Sequence, residues 1–223
     1  MKQAGRIFGA LLRVAPLLLM VNAGLGYEIA SQTRAANSSS QQDFLRKLTA
    51  AAIERTHHSV RYDGAYVRIP YPDGDVPAET GVCTDEIIRA YRAVGVDMQM
   101  LVHQDMLRNI SAYPHRGQPR LVLDTSIDHR RVPNLMVFFS RNGETLPASL
   151  LVQDYSPGDL VTWDLGGKVD HIGIVVDAKS PQSGRYMVVH NIGQGPKMED
   201  VLFNWKITGH YRYFGPLPAQ GVH

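Results

Sequence analysis

Between residues 159 and 190 the sequence contains three similar runs: Asp159-Leu-Val-Thr-Trp163, His171-Ile-Gly-Ile-Val-Val-Asp177 and Tyr186-Met-Val-Val-His190. Each run is rich in β-branched and aromatic residues, and the segments between them are rich in Gly, Ser, Pro and charged residues, which is the pattern of consecutive strands. A fourth run of the same kind, Ile207-Thr-Gly-His-Tyr-Arg-Tyr213, follows near the end of the chain. The second half of the sequence therefore predicts an antiparallel sheet.

The first half of the sequence predicts helices. Apolar side chains recur near the helical period in residues 43–56, and those of residues 83–94 share one helical face. Asp97 is positioned to cap a further helix, and Val132-Pro133 begins a shorter one that is expected to stop at Gly143. Helices followed by strands predict an α+β fold, with N-terminal helices packed on a C-terminal antiparallel β-sheet.

The composition is that of a folded soluble protein, since 44% of the 223 residues are apolar and 20% are charged. A chain of this length buries roughly 70% of the surface that it exposes when unfolded, so it needs no disulfide or structural metal to hold its fold. The sequence shows no internal repeat. We predict one domain over residues 43–215, followed by a short C-terminal tail at residues 216–223.

Residues 1–23 have the features of an export signal. Basic residues precede a hydrophobic stretch that ends at Val21, and small residues follow from Ala23. We expect cleavage after Ala23, a polar linker over residues 24–42, and a periplasmic or extracellular protein. The alternative is a retained amphipathic anchor. A transmembrane span is not expected, because Arg13 interrupts the apolar stretch.

The charge of the chain gives no sign of a nucleic-acid partner. Its formal charge of +2 comes from 23 Lys and Arg against 21 Asp and Glu. Three of the basic residues, and no acidic residue, lie in the predicted signal. The remaining chain is almost neutral and lacks the basic surface that general nucleic-acid binding requires.

Cys83 is the only cysteine, so no intramolecular disulfide can form, although an exported protein meets an oxidising compartment. A single cysteine is most simply a small, inert core residue. A catalytic cysteine needs a stabilised thiolate, a base and a group that orients the base. Because Cys83 is predicted to open a helix, the helix dipole is expected to lower the pKa of its thiol, while Asp85 and Glu86 oppose this effect.

His171 and His190 are the candidates for the base and its orienting group. They begin and end neighbouring predicted strands, so a hairpin places them side by side, facing the helix that starts at Cys83. Gly173 shares the side-chain direction of His171 and is expected to leave open space beside the imidazole. Asn191 is the alternative orienting group, although alternation along a strand lets only one of His190 and Asn191 face inward.

These residues resemble the NlpC-type cysteine peptidases of the bacterial cell wall, a papain-like group with the chain order Cys, His and a polar third residue. The runs that begin at Asp159 and His171 are similar to the "GDLV…HVGIY" strand pair of that group. Residues 127–135 and 189–193 make the chain more similar still to an uncharacterised family of exported bacterial proteins in the same superfamily. The resemblance implies a papain-like fold with a catalytic triad of Cys83, His171 and His190.

The resemblance also implies a reaction and a substrate. The expected reaction is hydrolysis of an amide bond in peptidoglycan stem peptides, through a thioester on Cys83, and no cofactor or metal is implied. The alternatives are an acyltransferase with the same triad and a catalytically idle module that binds cell-wall fragments. Around the candidate nucleophile the chain reads Val82-Cys83-Thr84-Asp85 where the group has Asp-Cys-Ser-Gly, so the resemblance is weaker at the residues beside Cys83.

A further set of residues is suited to bind a substrate. Pro70-Tyr71 precedes Cys83 as a Pro-Tyr pair precedes the nucleophile in the group that the chain resembles. The guanidinium groups that follow Asp128 are suited to hold a substrate carboxylate, unless they belong to a solvated charged turn or form a structural ion pair. The substrate-binding candidates are Tyr71, Asp85, His129, Arg130, Arg131 and Asn191. The spacing of the histidines and acidic residues does not predict a metal site.

Overall fold

The computed structural model describes residues 18–115 and 122–216 of the chain. The chain divides into two units after Ser40, and the sheet and the candidate site belong to the second unit. Residues 1–17 of the predicted export signal and residues 217–223 of the predicted tail lie outside the described residues, so signal and tail stay predictions. No helix in the described ranges combines the length and the apolar character that crossing a membrane requires.

Helix α1 (Leu18–Arg55) is longer than the helix predicted over residues 43–56. It continues back through residues 24–42, which we predict to be a polar linker. Neither Pro nor Gly interrupts residues 27–55, and the Ala, Arg, Gln and Leu residues found there are good helix formers. The C-terminal part of α1 packs on the core through Leu48 and Ala52, which are almost fully buried.

The other α-helices of the described chain are those that the sequence predicts: α2 (Cys83–Ala93), α3 (Met98–Arg108) and α4 (Val132–Asn142). Asp97 caps α3 by accepting a hydrogen bond from the N–H of Met100 at 3.0 Å. Pro133 lies in the first turn of α4, where its missing N–H has no helical partner to lose. The apolar faces of these helices meet in one core cluster, which includes Tyr91 and Phe139.

The strands form a small pair and a large sheet. The pair is parallel and joins β1 (Arg61–Tyr62) to β2 (Thr80–Gly81), just before α2. The large sheet contains β3 (Glu144–Thr145), β4 (Leu160–Asp164), β5 (Asp170–Lys179), β6 (Tyr186–Asn191), β7 (Pro196–Glu199) and β8 (Lys206–Arg212). Its order is β3-β8-β4-β5-β6-β7, and all of its pairings are antiparallel. The α+β class and the antiparallel sheet predicted from the sequence are confirmed.

Both faces of the central strands are covered. On one face, residues such as Ile172 and Ile174 of β5 join the core beneath the helices. On the other face, Val175 of β5 packs in a second cluster with Trp163 and Leu202. Helix α2 packs on β5 and β6, the two strands that carry His171 and His190.

Gly173 in β5 occupies a place that has no room for a side chain. A Cβ atom at this position would lie 2.6 Å from Cγ1 of Val188, 3.1 Å from the carbonyl oxygen of Val189 and 3.2 Å from Cβ of His190. The expected open space beside His171 is therefore absent, because β6 fills it. The missing side chain serves instead to let β6 and His190 approach β5 closely.

We expect Gly173→Ala to lower the free energy of unfolding by about 1–3 kcal/mol, the usual cost of overpacking a filled site. Urea denaturation followed by circular dichroism measures the loss. Gly64→Ala is the matched control, because a Cβ atom there would make an ordinary contact of 3.6 Å with Val82. Equal stability of the two variants would show that the close approach of β6 does not depend on Gly173.

Candidate active site

Cys83 is the first residue of α2, and its side chain is buried, with 4% of its surface exposed. The backbone N–H groups of Ile172, Thr84 and Cys83 itself lie near its sulfur and act to lower the pKa of the thiol. The paired residues of β5 and β6 begin at Ile174 and Val189, so the N–H of Ile172 lies outside that ladder and is available to the sulfur. The thiol therefore lies beside the backbone N–H of Ile172, the residue that follows His171 in β5. Among the described residues, no hydrogen bond joins the sulfur to the imidazole of His171 or of His190.

Cys83 also lines a groove with a volume of about 630 Å³. Tyr62, the start of α4 at Val132, and the turn between β4 and β5 at Val169 contribute to the same lining. The buried thiol thus borders a space large enough for a peptide segment. It is not sealed inside the core.

His171 and His190 form a hydrogen-bonded pair. Nε2 of His171 lies 2.9 Å from Nδ1 of His190, and the two rings are nearly perpendicular, at 77°. Both side chains are 1% exposed. Trp163 and Trp205 flank the ring of His171, with ring centroids at 5.8 and 6.1 Å. The prediction that neighbouring strands bring these two imidazoles together is confirmed.

Glu199 on β7 is hydrogen-bonded to His190 and so adds a third member to this pair. The sequence pattern does not point to this residue. Its Oε2 lies 2.9 Å from Nε2 of His190, and its side chain is 40% exposed. Because a carboxylate only accepts hydrogen bonds, Nε2 of His190 donates to it, and Nδ1 of His190 accepts the proton of His171 Nε2. Nδ1 of His171 is then unprotonated, which is the state that a base requires.

Burial dominates the electrostatics of the site. It raises the pKa of the Cys83 thiol to about 12, with a further contribution from Asp85, against the lowering effect of the N–H donors. Burial also lowers the pKa of His171 to about 3, and His190 adds to this shift. The pKa of His190 is lowered as well, because its burial outweighs the attraction of Glu199. The N–H groups at the start of α2 do act to lower the thiol pKa, but burial outweighs them, so the net shift is upward. The directions of these shifts favour a neutral thiol and two neutral imidazoles.

Asp85 and Arg130 form a buried ion pair. Nε and Nη2 of Arg130 lie 2.7 and 2.9 Å from the two carboxylate oxygens of Asp85. Asp85 also accepts the N–H of Val82 at 2.7 Å, and Thr84 Oγ1 donates to the carbonyl oxygen of Arg130 at 3.0 Å. These contacts tie the turn before α4 to the first turn of α2. Asp85 and Arg130 thus form the structural ion pair that was the alternative to substrate binding, and their contacts hold the start of α2 in place.

The other two residues of the basic motif have different surroundings. His129 is 2% exposed and is not among the groove-lining residues, and burial lowers its pKa to about 4. Arg131 lines the groove, and within the described residues its guanidinium has no carboxylate partner within 4 Å. Among the described residues Arg131 forms no ion pair, although its charge acts against the rise that burial causes in the pKa of Asp128.

Asn191 and Tyr71 also lie apart from the groove lining. The amide of Asn191 donates to the carbonyl oxygen of Gly81 at 3.5 Å and accepts the N–H of Gly193 at 3.1 Å, so it contacts the segment before Cys83 and not His171. Tyr71 packs edge-on against His103, with ring centroids 5.2 Å apart. Tyr62 is the tyrosine that lines the groove, and burial, with Cys83 and Asp85, raises the pKa of its phenol.

We expect the free energy of unfolding to fall as the pH drops from about 6.5 to 5. The folded-state pKa values of His129 and His171, about 4 and 3, lie below the value of about 6.5 for an unfolded chain, so in this window only the unfolded chain binds these protons. Each imidazole contributes a slope that rises from about 0.7 kcal/mol per pH unit at pH 6.5 toward about 1.4 near pH 5, as the unfolded group becomes fully protonated. Urea denaturation at several pH values measures the slope, which His129→Gln is expected to reduce by that amount. A slope that is unchanged in this variant would contradict the buried neutral state of His129.

Comparison with known proteins shows a family match that covers the helices, the sheet and the candidate site. A family model described as "Domain of unknown function (DUF1287)" matches residues 49–213. The chain is also 52% identical over 153 residues to "Uncharacterized protein YijF" of Escherichia coli (strain K12), an alignment that covers 69% of this chain and 74% of YijF. The matched residues 49–213 include Cys83, His171, His190 and Glu199.

Proposed function

We propose that this chain, which belongs to the family described as a domain of unknown function (DUF1287), is an exported cysteine hydrolase with a papain-like fold of the NlpC type. Its proposed substrate is an amide bond in peptidoglycan stem peptides. The observation that carries the proposal is the 2.9 Å hydrogen bond between His171 and His190, at the strand start whose backbone contacts the Cys83 sulfur. A nucleophile that opens a helix and a base on the adjoining antiparallel sheet are the arrangement that the sequence resemblance implies.

In the proposed mechanism the sulfur of Cys83 attacks the carbonyl carbon of the scissile amide. Because the resting thiol and imidazole are neutral, Nδ1 of His171 removes the thiol proton as the carbon–sulfur bond forms. His190 accepts the Nε2 proton of His171 in a hydrogen bond and, with Glu199 behind it, stabilises the imidazolium. His171 then protonates the amine as the carbon–nitrogen bond breaks. Water, deprotonated by His171, hydrolyses the thioester and restores the thiol.

Mass spectrometry of purified muropeptides incubated with the protein tests the proposal. We expect a shortened muropeptide with a new carboxylate and a stem fragment with a new amine. The same incubation with an added amine separates hydrolysis from acyl transfer, because a transferase passes the acyl group to that amine while a hydrolase yields the free acid. Unchanged muropeptides in both incubations would contradict the proposed substrate.

A catalytically idle module that binds cell-wall fragments is the second candidate. The burial of Cys83 and the rise of its pKa to about 12 favour it. The rate of alkylation by iodoacetamide, measured against pH, separates the two candidates. An idle thiol reacts only as the pH approaches its raised pKa, whereas a thiol assisted by His171 also reacts at pH 6 to 7 and loses that reactivity in His171→Ala.

We expect Glu199→Ala to lower kcat/KM by about 10- to 100-fold, because His190 loses the acceptor that fixes its tautomer. Glu199→Gln keeps an acceptor oxygen and is expected to lose less than tenfold. Asp200→Ala is the matched control, since Asp200 binds Ser183 and Arg185 and does not contact the histidines. Equal kcat/KM values in Glu199→Ala and Asp200→Ala would remove Glu199 from the mechanism.

A further inference from the structure

His210 on β8 is fully buried, and each of its ring nitrogens contacts an oxygen atom. Nδ1 lies 2.9 Å from the carbonyl oxygen of Pro147, in the segment that joins β3 to β4. Nε2 lies 2.9 Å from Oδ2 of Asp159, the residue before β4. The imidazole thus bridges the connecting segment and the start of a central strand.

Both of these oxygens are hydrogen-bond acceptors. A backbone carbonyl and a carboxylate have no hydrogen to donate. Arg212 favours the carboxylate form of Asp159, because its Nε and Nη2 lie 2.7 and 2.6 Å from Oδ1. A neutral imidazole has one nitrogen without hydrogen, which would face one of the two oxygens, lone pair against lone pair. The imidazolium has a hydrogen on each nitrogen and donates to both oxygens.

The ring of Tyr155 also suits a cation at His210. The two rings are stacked, with centroids 4.2 Å apart and an angle of 21°, and the face of an aromatic ring attracts positive charge. The phenol of Tyr155 donates to the carbonyl oxygen of Ser149 at 2.7 Å. Burial, with smaller contributions from Asp154 and Asp159, raises the pKa of this phenol to about 12, so Tyr155 stays neutral at physiological pH.

The neighbouring strands add no further charge at the ring. Val161 of β4 lies opposite His210, and Glu144 of β3, which is exposed, lies opposite Arg212. Among the described residues, Asp159 is the one charged group within hydrogen-bond distance of the imidazole. The protonation of His210 therefore depends on Asp159 together with its partner Arg212.

His210 attaches residues 146–155 to the sheet at two points. Its ring contacts Pro147, and its carbonyl oxygen accepts the N–H of Leu146 at 2.8 Å. The same segment carries Leu150 and Leu151, two apolar side chains that are exposed. The hydrogen on Nδ1 of His210 is thus one of the attachments that hold an exposed apolar segment in place.

We infer that His210 is a buried imidazolium that holds residues 146–155 on the sheet, and that this segment opens as the pH rises. The inference goes beyond the proposed function and does not depend on it. In the open segment the imidazole reaches water, and above about pH 6.5 it loses a proton to the solvent. Opening then releases one proton, so its equilibrium constant is expected to rise by about tenfold for each pH unit.

Nitrogen-15 NMR of the full chain with labelled histidine tests the protonation state. We expect both ring nitrogens of His210 to carry a bonded hydrogen at pH 7.5, whereas an exposed histidine carries one. His210→Gln identifies the two signals by their disappearance. If that variant does not fold, Tyr155→Leu identifies them by the loss of the ring-current shift. A single protonated nitrogen on His210 at pH 7.5 would overturn the inference.

Hydrogen exchange of the same chain tests the opening. The amides of Asp154 and Tyr155 donate to carbonyl oxygens within the segment, so their exchange rate, divided by the intrinsic rate, measures its opening. We expect this ratio to rise about tenfold between pH 7 and 8 in wild type, and to be larger but independent of pH in His210→Gln. His129→Gln changes a buried histidine outside the segment and is expected to keep the wild-type dependence. A wild-type ratio that stays constant, or a dependence that persists in His210→Gln, would overturn the inference.

Discussion

Cys83→Ala is expected to lower kcat/KM for amide hydrolysis by at least about 10⁴-fold, because the sulfur forms the covalent bond to the substrate. The fold is expected to survive this change. Cys83 is a small side chain at the edge of the core, and removal of its sulfur leaves the Asp85–Arg130 pair and the start of α2 in place. Turnover of muropeptides and urea denaturation of the same preparation measure the two effects separately.

Thr84→Ala is the matched control for this variant. Thr84 is the next residue of α2, is equally buried, and donates its hydroxyl hydrogen to the carbonyl oxygen of Arg130. We expect it to keep kcat/KM within about tenfold of wild type while losing about 1 kcal/mol of stability. A folded Cys83→Ala protein that hydrolyses muropeptides at the wild-type rate would remove Cys83 from the mechanism.

Arg89→Ala is expected to lower the free energy of unfolding by about 3–5 kcal/mol, the largest loss of stability that we predict. Arg89 is 6% exposed, and its nitrogens lie 3.1 Å from Glu86 and 3.0 Å from Asp75. It also donates to the carbonyl oxygen of Thr80 at 2.9 Å. Without this guanidinium, the buried carboxylate of Glu86 keeps Arg55 as its remaining cation, and the loop before β2 loses its main attachment to α2.

Arg92→Ala is the matched control, since Arg92 lies on the same helix and shares the partner Asp75 at 3.0 Å, but its side chain is 24% exposed. We expect this variant to lose no more than about 1 kcal/mol, because water replaces the ion pairs of a partly exposed arginine. Denaturation by urea, followed by circular dichroism, compares the two. Similar losses in both variants would contradict the role assigned to the buried network.

The helices and the four central strands could be predicted because their signals are local. The cap at Asp97, the proline at the start of α4 and the apolar runs of β4 and β5 depend only on residues close in sequence. Strand β7 could not be predicted in this way, since Pro196-Lys-Met-Glu199 is only four residues long and contains no β-branched or aromatic residue. It becomes a strand through its pairing with β6. The parallel pair β1 and β2 was missed for the same reason.

Because the sequence does not predict β7, it does not point to Glu199 either. In the sheet, Lys197 lies directly opposite His190, and Glu199 follows two residues later on the same face. A carboxylate at that diagonal position reaches the imidazole. The sequence shows charged residues at alternate positions of β7, Lys197 and Glu199. They indicate a partner for His190 only when the register between β6 and β7 is known.

The histidine pair could be predicted, whereas the partners of the charged residues could not. A hairpin of adjacent strands is enough to bring His171 beside His190. The pairing of Asp85 with Arg130 depends instead on how distant segments fold together, and an arginine that binds a buried carboxylate has the same local sequence as one that binds a substrate. The sequence likewise does not show the path of the loop between β1 and β2. In the structure Tyr62 lines the groove, and Tyr71 in this loop does not.

The central claim is that Cys83, His171 and His190 act together to form a covalent acyl intermediate, and an activated substrate tests it most directly. A stem peptide with a p-nitrophenyl ester at the scissile carbonyl acylates a competent thiol quickly, so hydrolysis of the thioester limits the rate. We predict a burst of about one equivalent of nitrophenol, with the acyl mass mapped to Cys83 by mass spectrometry after acid quenching and a much slower burst in His171→Ala. Sustained release of nitrophenol with no acyl mass on Cys83, or an undiminished burst in His171→Ala, would contradict the claim.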